Sequence, residues 1–184
     1  MLLDASDVSL LLIDVQEKLF NKIHNNQSIL KNILVILESS SKLGLPIIYT
    51  EQYPKGLGHT IFQLQNSLER SQMYTKKFEK TSFSCFPSKE NKNKNKYIKT
   101  QQVLVAGIET HICVLQTAID LQSSGFKVFI LEDCVGSREE KSKCLALKRA
   151  RSAGISIVNT EMALFELLRD SKHKYFKNLS SLIK

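Results

Sequence analysis

The sequence predicts an α/β fold: a three-layer, doubly wound, Rossmann-like sandwich around six parallel strands in the order 3-2-1-4-5-6. Strand-like and helix-like segments alternate along the chain, which is typical of right-handed βαβ crossovers and of a parallel sheet covered on both faces. The chain has 184 residues, of which 42% are hydrophobic and 24% charged. This size and composition are ordinary for a globular protein, and we expect a single domain over residues 1–184.

The first strand is predicted at Val8–Ile13, because this apolar run lacks polar alternation, as expected of a strand buried on both faces. A helix is predicted before Gly44, because isoleucine and leucine recur there at helical spacing. The other strands are short apolar runs between turn residues. They are predicted at 45–50, 72–76 (the weakest), 102–106, 127–131 and 155–159, and the helices at 28–43, 111–124, 138–153 and 162–168.

Three side chains with complementary chemistry lie near the ends of predicted strands. Asp14 closes the first strand, Lys80 lies beyond the third, and Cys113 follows the fourth in the first turn of a predicted helix. Ligands of doubly wound sheets bind at the carboxyl ends of the strands, where the strand order reverses. Strands one and four are neighbours at that point, so we expect the three side chains to converge on one cleft.

A carboxylate, an ammonium and a thiol are the groups that a cysteine hydrolase needs. A helix N-terminus and a nearby ammonium favour the thiolate, and a carboxylate can accept the thiol proton. These roles make Cys113 the nucleophile, Asp14 the general base and Lys80 the thiolate stabiliser. The structural alternatives are that Cys113 is an inert packing thiol, that Asp14 caps a helix and that Lys80 is a surface lysine.

The other cysteines have weaker functional cases. Cys85 could line the cleft, Cys134 could lie near it, and Cys144 is expected to be structural. No Cys-x-x-Cys pair occurs, so reduced thiols are expected. No His-x-x-x-His or Asp-x-His spacing occurs, and neither a metal nor a cofactor is predicted. The chain also lacks a Gly-x-Gly-x-x-Gly dinucleotide motif, a phosphate loop and a Gly-x-Ser-x-Gly elbow.

The formal charge of +8 is partly located in the Asn/Lys-rich loop 89–97. We interpret this loop as a solvated segment, because no aromatic residues are interleaved to stack on bases. The alternative is that the loop is a basic patch that binds nucleic acid. If the loop is a solvated segment, no nucleic-acid partner is expected. No membrane partner is expected either, since no apolar run approaches the roughly 20 residues of a span. The N-terminus does not resemble a signal peptide, which predicts a cytoplasmic protein.

At these residues the chain resembles the isochorismatase-like cysteine hydrolase superfamily, in particular the isochorismatase domain-containing proteins. The segments that carry the resemblance extend over almost the whole chain. They are 12–16, 80–83, 107–114, 131–135, 137–138 and 160–161, and segments 51–58 and 164–168 are similar to the subgroup.

The resemblance implies an Asp-Lys-Cys triad, which falls on Asp14, Lys80 and Cys113. It further implies a cis peptide bond between Ile108 and Glu109, an oxyanion hole formed by the amides of Glu109 and Cys113, and a homo-oligomer, dimeric or higher. The pocket wall is predicted more loosely, from residues near these motifs. The predicted substrate-binding residues are Gln16, Phe20, Gln52, Phe83, Ile108 and His111.

Two departures from the wider superfamily narrow the chemistry. Its nicotinamidases carry an Asp-x-His metal motif after the second strand, where this chain reads Thr-Glu-Gln-Tyr-Pro over 50–54, so a metal-independent enzyme is predicted. Its true isochorismatases cleave a vinyl ether and do not need the cysteine, so Cys113 favours acyl chemistry. We therefore predict hydrolysis of an amide-like C–N bond, or of an ester, in a small molecule through a Cys113 thioester. The alternative is a catalytically silent member that acts as a binding or scaffold protein.

Overall fold

The computed structural model describes residues 1–71, 74–86 and 98–183, and these residues form a sheet in which neighbouring strands are parallel. The sheet has six strands in the order β3-β2-β1-β4-β5-β6. The strands are β1 Val8–Ile13, β2 Ile47–Gln52, β3 Thr75–Lys80, β4 Gln102–Ile108, β5 Lys127–Gly136 and β6 Ser156–Val158. The predicted fold class and strand order are confirmed.

Helices cover both faces of this sheet. They are α1 Glu17–Phe20, α2 Asn26–Leu43, α3 Pro54–Leu57, α4 Phe62–Arg70, α5 Leu115–Ser123, α6 Glu140–Ser152, α7 Thr160–Leu168 and α8 Phe176–Ser180. A π-helical turn at Thr110–Val114 leads into α5, and a 3₁₀ turn at Ser181–Ile183 follows α8. The predictions lacked α1, α3, α4 and α8, because these helices are only four to nine residues long, which is shorter than the window over which helical periodicity is recognised.

The central strand β1 supplies both hydrophobic cores. Leu10 and Leu12 belong to the cluster built with α2, α4 and α7, whereas Leu11 and Ile13 belong to the cluster built with α5 and α6. Successive strand residues point to opposite faces, so a strand that is buried on both sides needs apolar residues at every position. This requirement explains the uninterrupted apolar run in the sequence.

Of the six predicted strands only the first has the bounds that the structure gives it, and the differences at β3 and β5 affect the candidate site. The third strand is Thr75–Lys80 and not 72–76; residues 72–73 lie outside the described ranges. It is an edge strand with no fully buried position, so no apolar run marks it, and Lys80 is its last residue. Strand β5 continues to Gly136 past the partly exposed Glu132 and Asp133. Cys134 therefore lies inside β5 and not after it.

Gly107 allows β4 to approach β1 where the strand order reverses. It pairs with Ile13 and has φ 127°. A Cβ at this position would lie 2.1 Å from the Ile13 carbonyl oxygen, so only glycine fits. Asp14 follows with a left-handed φ of 51°, which turns the chain directly after the strand. The ends of β1 and β4 are thereby held together.

Within the described ranges, no helix has the length and apolarity needed to cross a membrane. That residues 1–184 form a single domain stays a prediction, and so does the cytoplasmic location.

Candidate active site

Asp14 and Lys80 form a buried ion pair at the carboxyl edge of the sheet. Lys80 Nζ donates to Asp14 Oδ2 at 2.5 Å, and the two side chains are 5% and 0% exposed. The hydroxyl of Thr50, on the strand between them, donates to Asp14 Oδ1 at 2.6 Å. Both carboxylate oxygens therefore accept a hydrogen bond, which holds Asp14 as an oriented acceptor.

Four oxygen atoms surround the Lys80 ammonium. Besides Asp14 Oδ2, Nζ contacts Gln52 Oε1 at 2.7 Å and the carbonyl oxygens of Ser82 and Phe83 at 3.2 and 3.1 Å. An ammonium has three hydrogens, so these acceptors use its whole donor capacity. Lys80 thus acts on the site through its charge, and it also holds the segment that follows β3.

Cys113 lies in the π-helical turn beside these groups. Its Sγ donates to Gln52 Oε1 at 3.6 Å, and the charges of Asp14 and Lys80 both act on its thiol. The side chain is buried in the same cluster as Ile13 and Cys85. The structure therefore brings Asp14, Lys80 and Cys113 together at the switch point of the sheet.

Burial raises the pKa of the Cys113 thiol to about 12, the charge of Asp14 adds to this rise, and the charge of Lys80 opposes it. The sequence predicts that the helix start and Lys80 favour the thiolate, and Lys80 does lower this pKa. Burial and the nearby carboxylate outweigh the ammonium. The raised pKa therefore favours the thiol form of Cys113 at neutral pH.

Sequence reasoning missed Thr50 and said little of Cys85. Cys85 Sγ donates to Thr50 Oγ1 at 3.8 Å, and the Cys85 amide donates to Thr117 Oγ1, on α5, at 2.9 Å. Burial raises the pKa of Cys85 to about 12, again with a contribution from Asp14. A threonine in a strand is an ordinary strand former, so Thr50 carried no signal of this contact.

The turn that carries Cys113 is tied to the segment after β5. Glu109 starts this turn: its peptide bond with Ile108 is cis, and its carbonyl accepts from the amides of Ile112 and Val114. The Glu109 carboxylate accepts from the backbone N and Nε of Arg138, both at 3.2 Å. These contacts hold in one place the stretch of backbone that contains the amides of residues 109 and 113.

The structure brings only some of the predicted pocket residues to the triad. Gln52 contacts Lys80 and Cys113 through its side chain. Phe83 contacts Lys80 through its carbonyl, and its ring is 54% exposed. His111 lies on the same turn as Cys113, with Nδ1 2.9 Å from Ser137 Oγ.

The side chains of the three other predicted pocket residues make contacts within the protein. Gln16 Nε2 donates to the carbonyls of Gln52 and Gly58 at 3.0 and 2.6 Å, and Gln16 Oε1 accepts from the Gln52 amide at 2.7 Å. Its amide therefore holds the loop after β2. Phe20 and Ile108 are buried in the hydrophobic core. None of these contacts supports the predicted role in substrate binding.

Glu51, near the end of β2, is buried and well paired. Its carboxylate accepts from the amide and hydroxyl of Thr60 at 2.8 and 2.9 Å, and it contacts His59 and Lys77 at 3.1 and 3.2 Å. In the part of the chain that the structure describes, no group of three or more His, Cys, Asp and Glu side chains is placed to hold a metal ion.

The chain is similar to known proteins over nearly its whole length. The family model described as the isochorismatase domain matches residues 8–162. Isochorismatase family protein 1A of Dictyostelium discoideum is 40% identical over 180 residues, which cover 97% of this chain and 87% of that protein. The structure of MAR1 ribonuclease from Caenorhabditis elegans is 34% identical with a TM-score of 0.88, and the match covers 100% of this chain and 92% of that one.

A more distant structure shares the fold. It is the YcaC gene product from Escherichia coli, an octameric hydrolase of unknown specificity. It is 23% identical with a TM-score of 0.85, and the match covers 100% of this chain and 89% of that one. The family match itself begins at the first residue of β1 and ends inside α7, so it includes all six strands together with Asp14, Lys80 and Cys113. This chain therefore belongs to the isochorismatase family of hydrolases.

Proposed function

We propose that this protein is a cysteine hydrolase that cleaves an amide-like C–N bond, or an ester, in a small molecule. Cys113 is the nucleophile, Asp14 the general base and Lys80 the group that stabilises the thiolate. The observation that carries the proposal is the position of the Cys113 thiol beside the buried ion pair of Asp14 and Lys80: its Sγ lies 3.6 Å from the Gln52 oxygen that also accepts from Lys80.

In the first half-reaction, Asp14 accepts the thiol proton while Cys113 Sγ attacks the carbonyl carbon of the substrate. The amides of Glu109 and Cys113 are the proposed donors to the oxyanion that forms. When this intermediate collapses, the C–N bond breaks and Asp14 passes its proton to the leaving nitrogen. The acyl group remains on Cys113 as a thioester.

In the second half-reaction, a water molecule attacks the thioester and Asp14 accepts its proton. The C–S bond then breaks, the carboxylic acid leaves, and Asp14 returns the proton to the sulfur of Cys113. The thiol and the carboxylate are thereby restored, so the cycle consumes only substrate and water.

The raised pKa of Cys113 fits this scheme. While Asp14 is ionised, its charge opposes a second negative charge on the sulfur. Once Asp14 has accepted the proton, that repulsion is gone and the attraction of Lys80 remains. The negative charge thus moves from the carboxylate to the sulfur beside the same ammonium, and the thiolate forms when a substrate is there to react with it.

The test is to trap the acyl-enzyme. The protein is mixed with p-nitrophenyl acetate, quenched in acid after short times and digested with trypsin, and a panel of primary amides is assayed in parallel for ammonia release. The four cysteines fall on separate tryptic peptides, 81–89, 100–127, 128–138 and 144–148, so mass spectrometry identifies the acylated residue. We expect a transient acetyl group on peptide 100–127.

Cys113→Ala should abolish both the acetyl group and the turnover, whereas the exposed Cys144→Ala should change neither. Turnover that survives in Cys113→Ala would contradict the proposal. Absence of turnover, together with a Cys113 that is no more reactive than Cys144, would favour the alternative of a silent binding or scaffold protein.

RNA cleavage is the second candidate. It is favoured by the 34% identity with the C. elegans MAR1 ribonuclease structure and by the formal charge of +8. The test compares a single-stranded oligoribonucleotide with its deoxy counterpart, using the wild type and Cys113→Ala. Cleavage of RNA alone, retained in Cys113→Ala, would support a nuclease that needs no thioester. The loop 89–97 lies outside the described residues, and neutralising Lys92, Lys94 and Lys96 tests its part in oligonucleotide binding.

We also infer that the chain forms a homo-oligomer, as the YcaC gene product does. Light scattering during size-exclusion chromatography tests this inference, and a monomer at micromolar concentration would contradict it.

A further inference from the structure

We propose that Thr50 is a positioning residue for the general base and that Cys85 is the outer member of the same hydrogen-bond chain, running from Cys85 through Thr50 to Asp14. The inference rests on the proposed function of Asp14 as the base for Cys113. It assigns a role to two residues that sequence motifs leave without one.

Thr50 holds Asp14 at two points. Thr50 pairs with Ile13 in the register of β1 and β2, and its carbonyl accepts from the Asp14 amide at 3.2 Å. Its hydroxyl donates to Asp14 Oδ1 at 2.6 Å, and both residues are almost completely buried. A buried hydrogen bond of this length to a carboxylate is a charge-assisted one. It leaves only the other oxygen of the carboxylate to Lys80.

The direction of the chain follows from counting hydrogens. A hydroxyl has a single hydrogen, and Thr50 uses it on Asp14. Thr50 Oγ1 can therefore only accept from Cys85 Sγ, which lies 3.8 Å away. To donate, Cys85 must be a thiol, and its raised pKa of about 12 keeps it protonated at neutral pH.

Cys85 is held over the site by the helix that follows the nucleophile. Its amide donates to Thr117 Oγ1, and Thr117 lies one helical turn after Cys113. Both thiols thus face the same carboxylate, but they do so in different ways. The thiol of Cys113 donates to Gln52 Oε1, which also accepts from Lys80, whereas Cys85 donates to Thr50 and so reaches Asp14 through the Thr50 hydroxyl. We therefore assign Cys113 as the nucleophile and Cys85 as a donor that stays protonated.

Removing the Thr50 hydroxyl changes no charge in the site. The titratable groups that the structure records facing Asp14 are Lys80 from β3, Cys113 from the turn before α5 and Cys85 from the segment after β3. Thr50→Val keeps all three and deletes only the donor to Oδ1. A donor to a carboxylate favours its ionised form, so Thr50→Val alters the proton acceptor and leaves the charges around it in place.

The chain contains a matched control away from the site. Thr160 Oγ1 donates to Asp133 Oδ1 at 3.0 Å and lies 3.1 Å from Cys134 Sγ. Cys134, Thr160 and Asp133 thus form a second set of a thiol, a hydroxyl and a carboxylate. This set has the same arrangement as Cys85, Thr50 and Asp14 but does not include Cys113. Thr160→Val therefore removes an equivalent buried hydroxyl and tests for indirect effects of packing.

The experiment measures the rate of Cys113 alkylation by iodoacetamide as a function of pH, read on peptide 100–127. If a base takes the thiol proton, the rate has an inflection on the acid side that belongs to this base and not to Cys113. In Thr50→Val we expect this acid inflection about one pH unit higher, the size of effect that a charge-assisted hydrogen bond produces. Thr50→Ser restores a hydroxyl and should restore the wild-type inflection. Cys85→Ala should move the acid inflection upward as well, but by less than Thr50→Val does. Thr160→Val should leave the inflection at its wild-type pH.

An acid inflection that is the same in Thr50→Val and the wild type would overturn the inference while leaving the proposed function intact. Absence of any Cys113-specific inflection in the wild type would overturn both, and this result is visible before any variant is made. If circular dichroism shows that Thr50→Val does not fold, Cys85→Ala decides: an unmoved inflection there rejects the hydrogen-bond chain.

Discussion

Gln52 and Lys80 are register partners at the ends of β2 and β3, and their side chains meet over the edge of the sheet. Lys80 Nζ donates to Gln52 Oε1 at 2.7 Å, and the same oxygen lies 3.6 Å from Cys113 Sγ. Gln52 therefore links the ammonium to the thiol without adding a charge. This link matters because the thiol already lies beside the carboxylate of Asp14.

Replacing Gln52 by glutamate should slow the reaction of Cys113. The variant keeps an acceptor for Lys80 but places a negative charge beside the sulfur, and a like charge disfavours the thiolate. We expect alkylation of Cys113 by iodoacetamide at mildly alkaline pH to be about tenfold slower, which corresponds to a rise of one unit in its pKa. Gln116→Glu, at an exposed position of α5, is the control and should have little effect. Unchanged or faster alkylation in Gln52→Glu would contradict the placement of this oxygen.

Asp14→Asn should separate thiol acidity from catalysis. The charge of Asp14 is one of the causes that raise the pKa of Cys113 to about 12, so its removal should lower that pKa and move the alkaline rise of Cys113 alkylation to lower pH, while the acid inflection that belongs to the base is lost. Turnover should nevertheless fall by about 10²–10⁴-fold, the usual contribution of a general base. The measurements are the pH dependence of Cys113 alkylation and the hydrolysis of p-nitrophenyl acetate. Asp120→Asn on α5 is the control, and wild-type turnover in Asp14→Asn would reject the base.

The single variant Lys80→Met should be less stable than the double variant that carries both Asp14→Asn and Lys80→Met. The single change leaves the buried charge of Asp14 unpaired, which costs about 3–5 kcal/mol, whereas the double change removes both charges. Urea unfolding at neutral pH measures the difference. Lys42→Met breaks only the surface pair with Glu38 and should cost about 0–1 kcal/mol. Equal stability of the single and double variants would argue against a desolvated pair.

Stability should decrease in alkaline solution because of the buried thiols. The pKa values of Cys85, Cys113 and Cys134 are all raised above 9.0 by burial. The folded state therefore keeps protons that the unfolded chain releases. The contribution of the three buried thiols to the free energy of unfolding is complete below about pH 9, and it declines as the pH rises toward about 12.

Urea unfolding between about pH 8 and pH 10 measures this decline. Cys134→Ala should make the decline shallower, because Cys134 is buried and contacts Thr160 rather than the catalytic groups. Cys144→Ala removes an exposed thiol and should not alter the decline. Identical slopes in the wild type and Cys134→Ala would contradict the link between thiol burial and alkaline stability.

The candidate catalytic residues were predictable as a set because of a general property of parallel sheets. The carboxyl ends of all strands lie at one edge, so Asp14 and Cys113, each following an apolar strand, had to lie near each other once the strand order was assumed. The bounds of β3 were not predictable in the same way. An edge strand that is partly exposed needs no apolar run, and only its pairing with β2 places Lys80 beside Gln52.

The sequence by itself determined the alternation of strands and helices, the buried strand β1, and the presence of a carboxylate, an ammonium and a thiol at the ends of strands. These properties depend on local periodicity and on the order of residues along the chain. Only the tertiary structure decided that Cys113 is buried beside Asp14 and Lys80, that Gln16 holds the loop after β2, and that Thr50 and Cys85 adjoin Asp14. Burial and hydrogen bonds between residues far apart in the sequence control these features, and both depend on how the strands pair and pack.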